Sequence, residues 1–208
     1  MNRASAPKAP RQLRPTDIKR LNRQWRRTTT ARLALLLDSV TQPFNVGSII
    51  RSAAAFGVER IWLAGNTAPP AHPAARKTSL GTERLVSIDE EPSPVVAAKA
   101  AAAAGFRVVA IELAEGAAAL HDAPVGGDVC LAFGNEDHGC SPGLLAAADA
   151  IAYIPQVGRV GSLNVAVAAA VALAEARRRE WAGPEDGTDG ADGIRGAGSG
   201  GDRAGAGP

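Results

Sequence analysis

An α/β domain built on a mostly parallel sheet is the fold class that the sequence predicts, and three observations carry it. Continuous apolar runs such as Leu33 to Leu37 and Val129 to Phe133 suit strands buried on both faces, as parallel strands are. They alternate with alanine- and valine-rich stretches at helical spacing, several of which stop at a glycine or a Gly-Pro pair. Helices on both faces follow, since both faces of such a sheet must be covered. A chain of 208 residues suits one such domain plus tails.

Met1 to Pro15 is rich in Pro, Ala and Arg and reads as mobile. Thr16 to Arg27 reads as a short helix capped by Thr16. Ile18, Leu21 and Trp25 share one face and Lys19, Arg20, Arg23, Arg26 and Arg27 the other. Such a basic face suits phosphates, and Trp25 either docks on the body, the preferred reading, or stacks on a base. Leu33 to Leu37 is the first strand of the body, ending at Asp38. A loop with Pro43 and Asn45 leads to a helix from about Val46 to Ala55, in which Arg51 is the only charge and Gly57 the C-cap. Arg60 to Leu63 is the next strand, so the unit is a right-handed crossover candidate.

Ala64 to Gly81 reads as loop, with Arg76 and Lys77 its basic pair. A short strand over Leu85 to Ile88 precedes a helix from about Val95 to Ala104, ended by Gly105. Arg107 to Ile111 and Val129 to Phe133 are strands, with Ala114 to Pro124 unassigned between them. Leu144 to Ala148 is a short helix, and Ile151 to Ile154 the last strand, closed by Pro155. Gly158 and Gly161 loop to a helix from Leu163 to about Trp181, with Ser162 at the N-cap position. Its last turn carries Arg177, Arg178 and Arg179, where positive charge suits the helix dipole, and Gly183-Pro184 stops it. Residues 183–208 are Gly, Ala and Asp and read as disordered.

The net charge of +2 hides a division. Residues 1–32 hold ten Lys/Arg against Asp17 alone, and the remainder is −7. A basic arm on an acidic body fits RNA or another polyanion; the alternative is a solvated, solubilising tail. There is no long apolar run and no apolar signal core, and Cys130 and Cys140 show no CxxC or metal spacing. Both read as reduced thiols in a cytoplasmic protein. No GxGxxG follows the first strand and no GxxxxGK[ST] occurs, which argues against dinucleotide and phosphoryl-transfer chemistry.

Three polar constellations fall at carboxyl ends of strands, where open sheets bind ligands: Asn45/Arg51, Asn135/Glu136 and Ser162/Asn164. The last pair opens a helix, where free N–H groups face a ligand; the alternative is a capped start with Asn164 in solvent. A lone Arg51 on an apolar helix needs an acid, a phosphate or a ligand, and the structural alternative is an ion pair with Glu136 or Asp38.

Together these stretches resemble the SpoU/TrmH family of RNA ribose 2′-O-methyltransferases, of the SPOUT superfamily. The likeness lies in Asn45-Val-Gly-Ser-Ile-Ile-Arg51 with Phe56-Gly57, in Phe133-Gly134-Asn135-Glu136 with Gly139, and in Ile154-Pro155 with Ser162-Leu163-Asn164-Val165. It spans Leu33 to Trp181, the whole body. The resemblance implies a deep C-terminal trefoil knot (an α/β-knot) and S-adenosylmethionine held near Gly134, Ile154, Leu163 and Asn164. It also implies a homodimer with both chains near the site. It assigns catalysis to Arg51, which contacts the target ribose and phosphate and helps remove the 2′-hydroxyl proton, acting as base only where the bound phosphate environment allows it. Asn45 supports Arg51, Glu136 orients groups, and Ser162 and Asn164 shape the pocket. An arginine is a poor free base, so Arg51 is read as positioning the hydroxyl and stabilising developing charge. No metal is implied. Departures at Asp137, His138, Gln156 and Ala166 bear on cofactor contacts and substrate choice.

The expected organisation is a basic arm over 1–32, a methyltransferase domain over 33–182 and a tail over 183–208. The expected activity is methylation of a ribose 2′-hydroxyl in RNA. The arm supplies RNA contacts through Arg20, Arg23, Arg26 and Arg27. Short basic extensions without a separate RNA-binding domain look most like members that act on a D-loop guanosine of tRNA. The alternatives are rRNA, or an RNA-binding module that keeps the fold without turnover.

Overall fold

The computed structural model describes residues 11–182. The N-terminal stretch read above as mobile lies outside the described residues as far as residue 10, and the 183–208 tail lies wholly outside them. The strands are β1 (Leu33–Asp38), β2 (Val58–Ala64), β3 (Ser87–Glu91), β4 (Arg107–Ile111), β5 (Ala118–Ala119), β6 (Val129–Phe133) and β7 (Ala150–Tyr153). They form one sheet in the order β3-β2-β1-β6-β4-β7-β5, and every neighbouring pair is parallel. The helices are α1 (Pro15–Thr28), α2 (Pro43–Phe56), α3 (Pro73–Ser79), α4 (Pro94–Ala103), α5 (Pro142–Ala147) and α6 (Val165–Ala182).

The strands alternate their side chains between two cores, as a period of two requires. Leu35, Leu37, Leu131 and Phe133 face Ile49, Ile50 and Leu173 of α2 and α6. Ala34, Leu36 and Ala132 face Ala97, Ala101 and Leu144 of α4 and α5. All of β1 is buried, as the run LALLL predicts. The small residues of the second core let its helices sit close, and the larger aliphatic ones fill the first. α2 and α3 also meet tightly: a Cβ on Gly47 would stand 2.1 Å from the Ala75 carbonyl oxygen, so only glycine fits there.

Several boundaries differ from the sequence reading. α1 starts at Pro15 rather than behind a Thr16 cap, and Asp17 accepts from the Arg14 N–H. α2 starts at Pro43, a residue suited to a first turn whose N–H would be unpaired anyway. Gly57 ends α2 in the left-handed region (φ 68°), its N–H bonded to Ala53 O, as expected. The stretch read as loop over 64–81 contains α3, started by His72 Nδ1 accepting from Ala74 N. Leu85 closes a 3-10 turn (Thr82–Leu85), and the strand that follows begins at Ser87. The unassigned segment supplies the two-residue edge strand β5.

Two further corrections concern α6. It begins at Val165, and its cap is Asn164, whose Oδ1 accepts from Ala166 N (2.9 Å) and Val167 N (3.3 Å). Ser162, expected as cap, is exposed in the preceding loop. Arg177, expected as a dipole partner, is 3% exposed. Its guanidinium donates to the carbonyls of Phe56 (2.9 Å), Gly57 (3.2 Å) and Ala31 (2.8 Å), and to Glu180 (2.7 Å). Glu180 in turn accepts from Thr30 N and Ala31 N. Thr29–Arg32 are therefore fastened to the body. Trp25 docks as preferred, its ring 4.7 Å from that of Trp181.

This topology positions the site. From β1 the chain leaves toward β2, and from β6, its neighbour, it leaves toward β7 on the other side of the sheet. Loops that diverge at adjacent strand ends open a crevice between them.

Candidate active site

The crevice is held together by one line of polar side chains. Glu136, just past β6, accepts from Thr41 N (3.1 Å), Thr41 Oγ1 (3.3 Å), Gln42 N (3.1 Å) and Asn45 Nδ2 (2.9 Å). Asn45 Oδ1 accepts from Asn164 Nδ2 at 3.0 Å. Asn164 then caps α6 through its other atom. Residues from three distant motifs are thus joined in series across the strand ends. Asn135 completes the joint, donating from Nδ2 to Ser39 O (2.8 Å) and accepting from Asp137 N and His138 N. Buried Asp38 ties β1 to the start of α5 by accepting from Ser141 N (2.9 Å).

Burial alone would push the Glu136 carboxyl up, but the bonds from Asn45, Gln42 and Thr41 outweigh it and hold its pKa below the ordinary value. A lowered folded-state pKa adds stability above the unfolded-state value and loses it as the pH falls through the folded one. Acidification below about pH 4 is therefore expected to loosen the Thr41–Asn45 segment. Amide exchange at Thr41 and Gln42, followed against pH, checks this: Glu136→Gln should abolish the acid-induced rise.

Beside the joint lies a cavity of about 780 Å³, walled by the ends of β4, β6 and β7 and the 156–165 loop. Gly134, Glu136, Ile154, Ser162, Leu163 and Asn164 all border it. Its floor demands glycine: a Cβ on Gly134 would stand 2.0 Å from the Gly139 carbonyl carbon, because the loop folds back there through the Asn135–Gly139 bridge. Apolar walls from Ile111, Phe133, Ile154 and Val165, with loop backbone for polar contacts, suit an adenosine-sized ligand. The site residues therefore fit S-adenosylmethionine.

Arg51 is not in this cavity. It lies exposed on α2, in helical line with Phe44 and Ser48, which border a second, largely apolar groove of about 670 Å³ between α2 and α6. Asn45 and Asn164 border that groove too. Among the described residues Arg51 makes no hydrogen bond or ion pair, and the suggested acids are engaged elsewhere, Glu136 by Asn45 and Asp38 by Ser141. Arg20, Arg23, Arg26 and Arg27 are exposed on α1. Cys130 and Cys140 are free and buried, and burial pushes both thiols well up. Sequence reasoning missed Thr41, Gln42 and Glu112 at this site; Gln42 acts through its backbone N–H alone, which carries no residue signature, and Thr41 through its backbone N–H and its hydroxyl.

The SpoU rRNA Methylase family model matches residues 32–174. A 23S rRNA (guanosine-2′-O-)-methyltransferase of Acinetobacter baylyi is 36% identical over 148 residues, 71% of this chain and 60% of that protein. A tRNA (guanosine(18)-2′-O)-methyltransferase of Thermus thermophilus is 35% identical over 147 residues, 71% of this chain and 75% of that protein. The AdoMet-bound rRNA methyltransferase structure from Sinorhizobium meliloti superposes with a TM-score of 0.67 at 34% identity, covering 73% of this chain and 57% of the other. The chain spans about half to three fifths of several curated relatives, among them a tRNA/rRNA methyltransferase of Synechocystis of which it covers 55%.

Proposed function

We infer the reaction from one premise: the chain belongs to the SpoU rRNA methylase family, whose model matches most of its body. It transfers a methyl group from S-adenosylmethionine to a ribose 2′-hydroxyl of RNA. The observation that carries this reading is the Glu136–Asn45–Asn164 line beside a glycine-floored cavity of cofactor size. The cofactor, when bound, supplies an electrophilic methyl on a sulfonium. Gly134, Ile154, Leu163 and Asn164 would hold it. Asn164, fixed by Asn45 and by the turn it caps, holds the 163–165 segment at the cavity mouth; Ser162 lies in the same loop.

Arg51 orients the ribose hydroxyl and its phosphate and stabilises charge on the attacking oxygen. A fixed hydroxyl beside a fixed methyl donor is the main source of rate. Arg51 lies in helical line with the groove residues Phe44 and Ser48 rather than in the cavity, which fits a site completed across a homodimer. Phe44 (52% exposed), Val167 and Val171 offer that groove an apolar face for a second copy. The trefoil knot belongs to this reading, supported by structural neighbours at TM-scores of 0.64 to 0.67.

The substrate we favour is tRNA, at a D-loop guanosine, supported by the likeness to the Thermus enzyme over three quarters of its length. The Acinetobacter relative supports rRNA as the second reading. Labelled-methyl transfer to unmodified total tRNA and to rRNA, with nucleoside mapping, tests both. A 2′-O-methylguanosine in the tRNA pool alone is the expected result. Transfer to neither pool, with the cofactor bound, would favour a non-catalytic RNA-binding module. Cytoplasmic work on RNA agrees with two free thiols, and no described helix is long and apolar enough to cross a membrane.

The arm reading has its own test. Because Thr29–Arg32 are fastened to the body, substitution is cleaner than deletion. Changing Arg20, Arg23, Arg26 and Arg27 together to Gln should weaken RNA binding and reduce the log–log salt slope by roughly 3. An unchanged slope would return α1 to a solvated arm.

A further inference from the structure

Glu112 follows β4 directly, and its backbone N–H donates to Ala152 O of β7 at 2.8 Å, which anchors the residue. Its carboxylate is anchored as well. Oε1 accepts from Leu113 N (3.0 Å), and Oε2 accepts from Cys140 N (2.8 Å) across the motif loop. A Cβ at Gly139 would stand 2.4 Å from Oε2, so the glycine of that loop leaves the room this carboxylate occupies. The residue borders the large cavity, as Glu136 does.

The two cavity-side glutamates differ in what they have left to give. Glu136 has four donors on its oxygens. Glu112 has two backbone N–H donors and the neighbouring Cys140 thiol, and no Lys, Arg or His of the described residues pairs with it. A carboxylate offers about four lone-pair sites. Capacity thus remains for a donor from the cavity that Glu112 borders, on a partly buried negative charge that gains most from ligand donors. Charge-assisted O–H···O⁻ and N⁺–H···O⁻ bonds are the strong kind.

We propose that Glu112 is a cofactor-binding residue, accepting hydrogen bonds from donor groups of the bound S-adenosylmethionine. The inference rests on the functional reading above. Two groups of that molecule can supply the donors, the ribose hydroxyl pair and the amino-acid ammonium. Either way Glu112 does two things at once: it braces the Gly134–Cys140 loop and presents a negative edge to a cationic ligand.

The test is calorimetric binding of three ligands to the full chain, with Glu112 and with Glu112→Gln. The ligands are S-adenosylhomocysteine, 5′-methylthioadenosine, which lacks the amino acid, and the 2′,3′-dideoxy analogue of the latter. Loss of a charge-assisted bond predicts about 10- to 100-fold weaker binding by Glu112→Gln for ligands that carry the donor. If the donors are the hydroxyls, removing them should cost the wild type affinity and cost the variant almost nothing. If the donor is the ammonium, the same non-additivity should appear between S-adenosylhomocysteine and 5′-methylthioadenosine. Additive losses in both cycles would mean that Glu112 acts only by bracing the loop, and would overturn the proposal. Should Glu112→Gln fail to fold, as judged by its thermal melt, Glu112→Asp carries the same cycles with the charge kept and withdrawn by one carbon. A wild-type chain that binds none of the three would sink the cofactor reading itself, and the Glu112 assignment with it. Binding with additive losses sinks Glu112 alone.

Discussion

Arg51→Ala is expected to lower methyl transfer by on the order of 10²–10³-fold, the cost of removing one positioned donor to developing charge. The dissociation constant for S-adenosylmethionine should stay within about twofold of the wild type. The separation follows from geometry. Arg51 is exposed on α2, borders no part of the cofactor cavity and has no partner among the described residues. Its loss should also cost little stability, within about 0.5 kcal/mol, as for a surface residue without contacts. Arg51→Lys should recover only part of the rate, because an ammonium lacks the planar fork that can hold a hydroxyl and a phosphate together. Single-turnover transfer with calorimetric cofactor binding provides both numbers. Wild-type turnover in Arg51→Ala would remove Arg51 from the reaction; equal loss of rate and cofactor affinity would make it a cofactor residue instead.

The second large effect falls on stability. Arg177→Met should destabilise the chain by about 3–5 kcal/mol, the range for breaking a buried charge pair by removing one partner. The side chain is 3% exposed and serves four acceptors at once. Phe56 O and Gly57 O are the last carbonyls of α2 and its cap, so the guanidinium closes the end of the helix that carries Asn45 and Arg51. Ala31 O joins the same fork, and Glu180 fastens Thr30 and Ala31 beside it. Methionine matches the volume but leaves three carbonyls without a donor and Glu180 without its cation. For a chain of this size the loss corresponds to a fall in Tm of roughly 6–20 °C. Arg177→Lys should rescue little, since one ammonium cannot reach carbonyls on both sides of the fork. A melt within two degrees of the wild type would contradict the role given to this residue.

Legibility in the sequence divided along the range of the interactions. LALLL and VCLAF announce buried parallel strands because such strands need apolar side chains on both faces. Gly57 announces the end of α2 because a left-handed cap favours glycine. α3 was hidden because Pro73 follows two other prolines in a segment that reads as loop, although a proline in a first turn is well placed to begin a helix. The cap of α6 was misplaced by two residues for a related reason: Ser162 and Asn164 are both good caps, and the choice fell to Asn164, which Asn45 holds in place.

Sequence alone determined the fold class and the family likeness, and it singled out Asn45, Glu136 and Asn164 as candidates, because these depend on local composition and motif spacing. The tertiary structure decided that those three form one hydrogen-bonded line, although 91 and 119 residues separate Asn45 from its partners. It decided that Arg177 is a buried clasp where three consecutive arginines read as a charged helix end. It also placed Glu112 against Gly139 at the cavity wall. Each of these depends on which strands become neighbours, above all β6 entering between β1 and β4. That order is set by long-range packing of two cores, and no local pattern along the chain carries it.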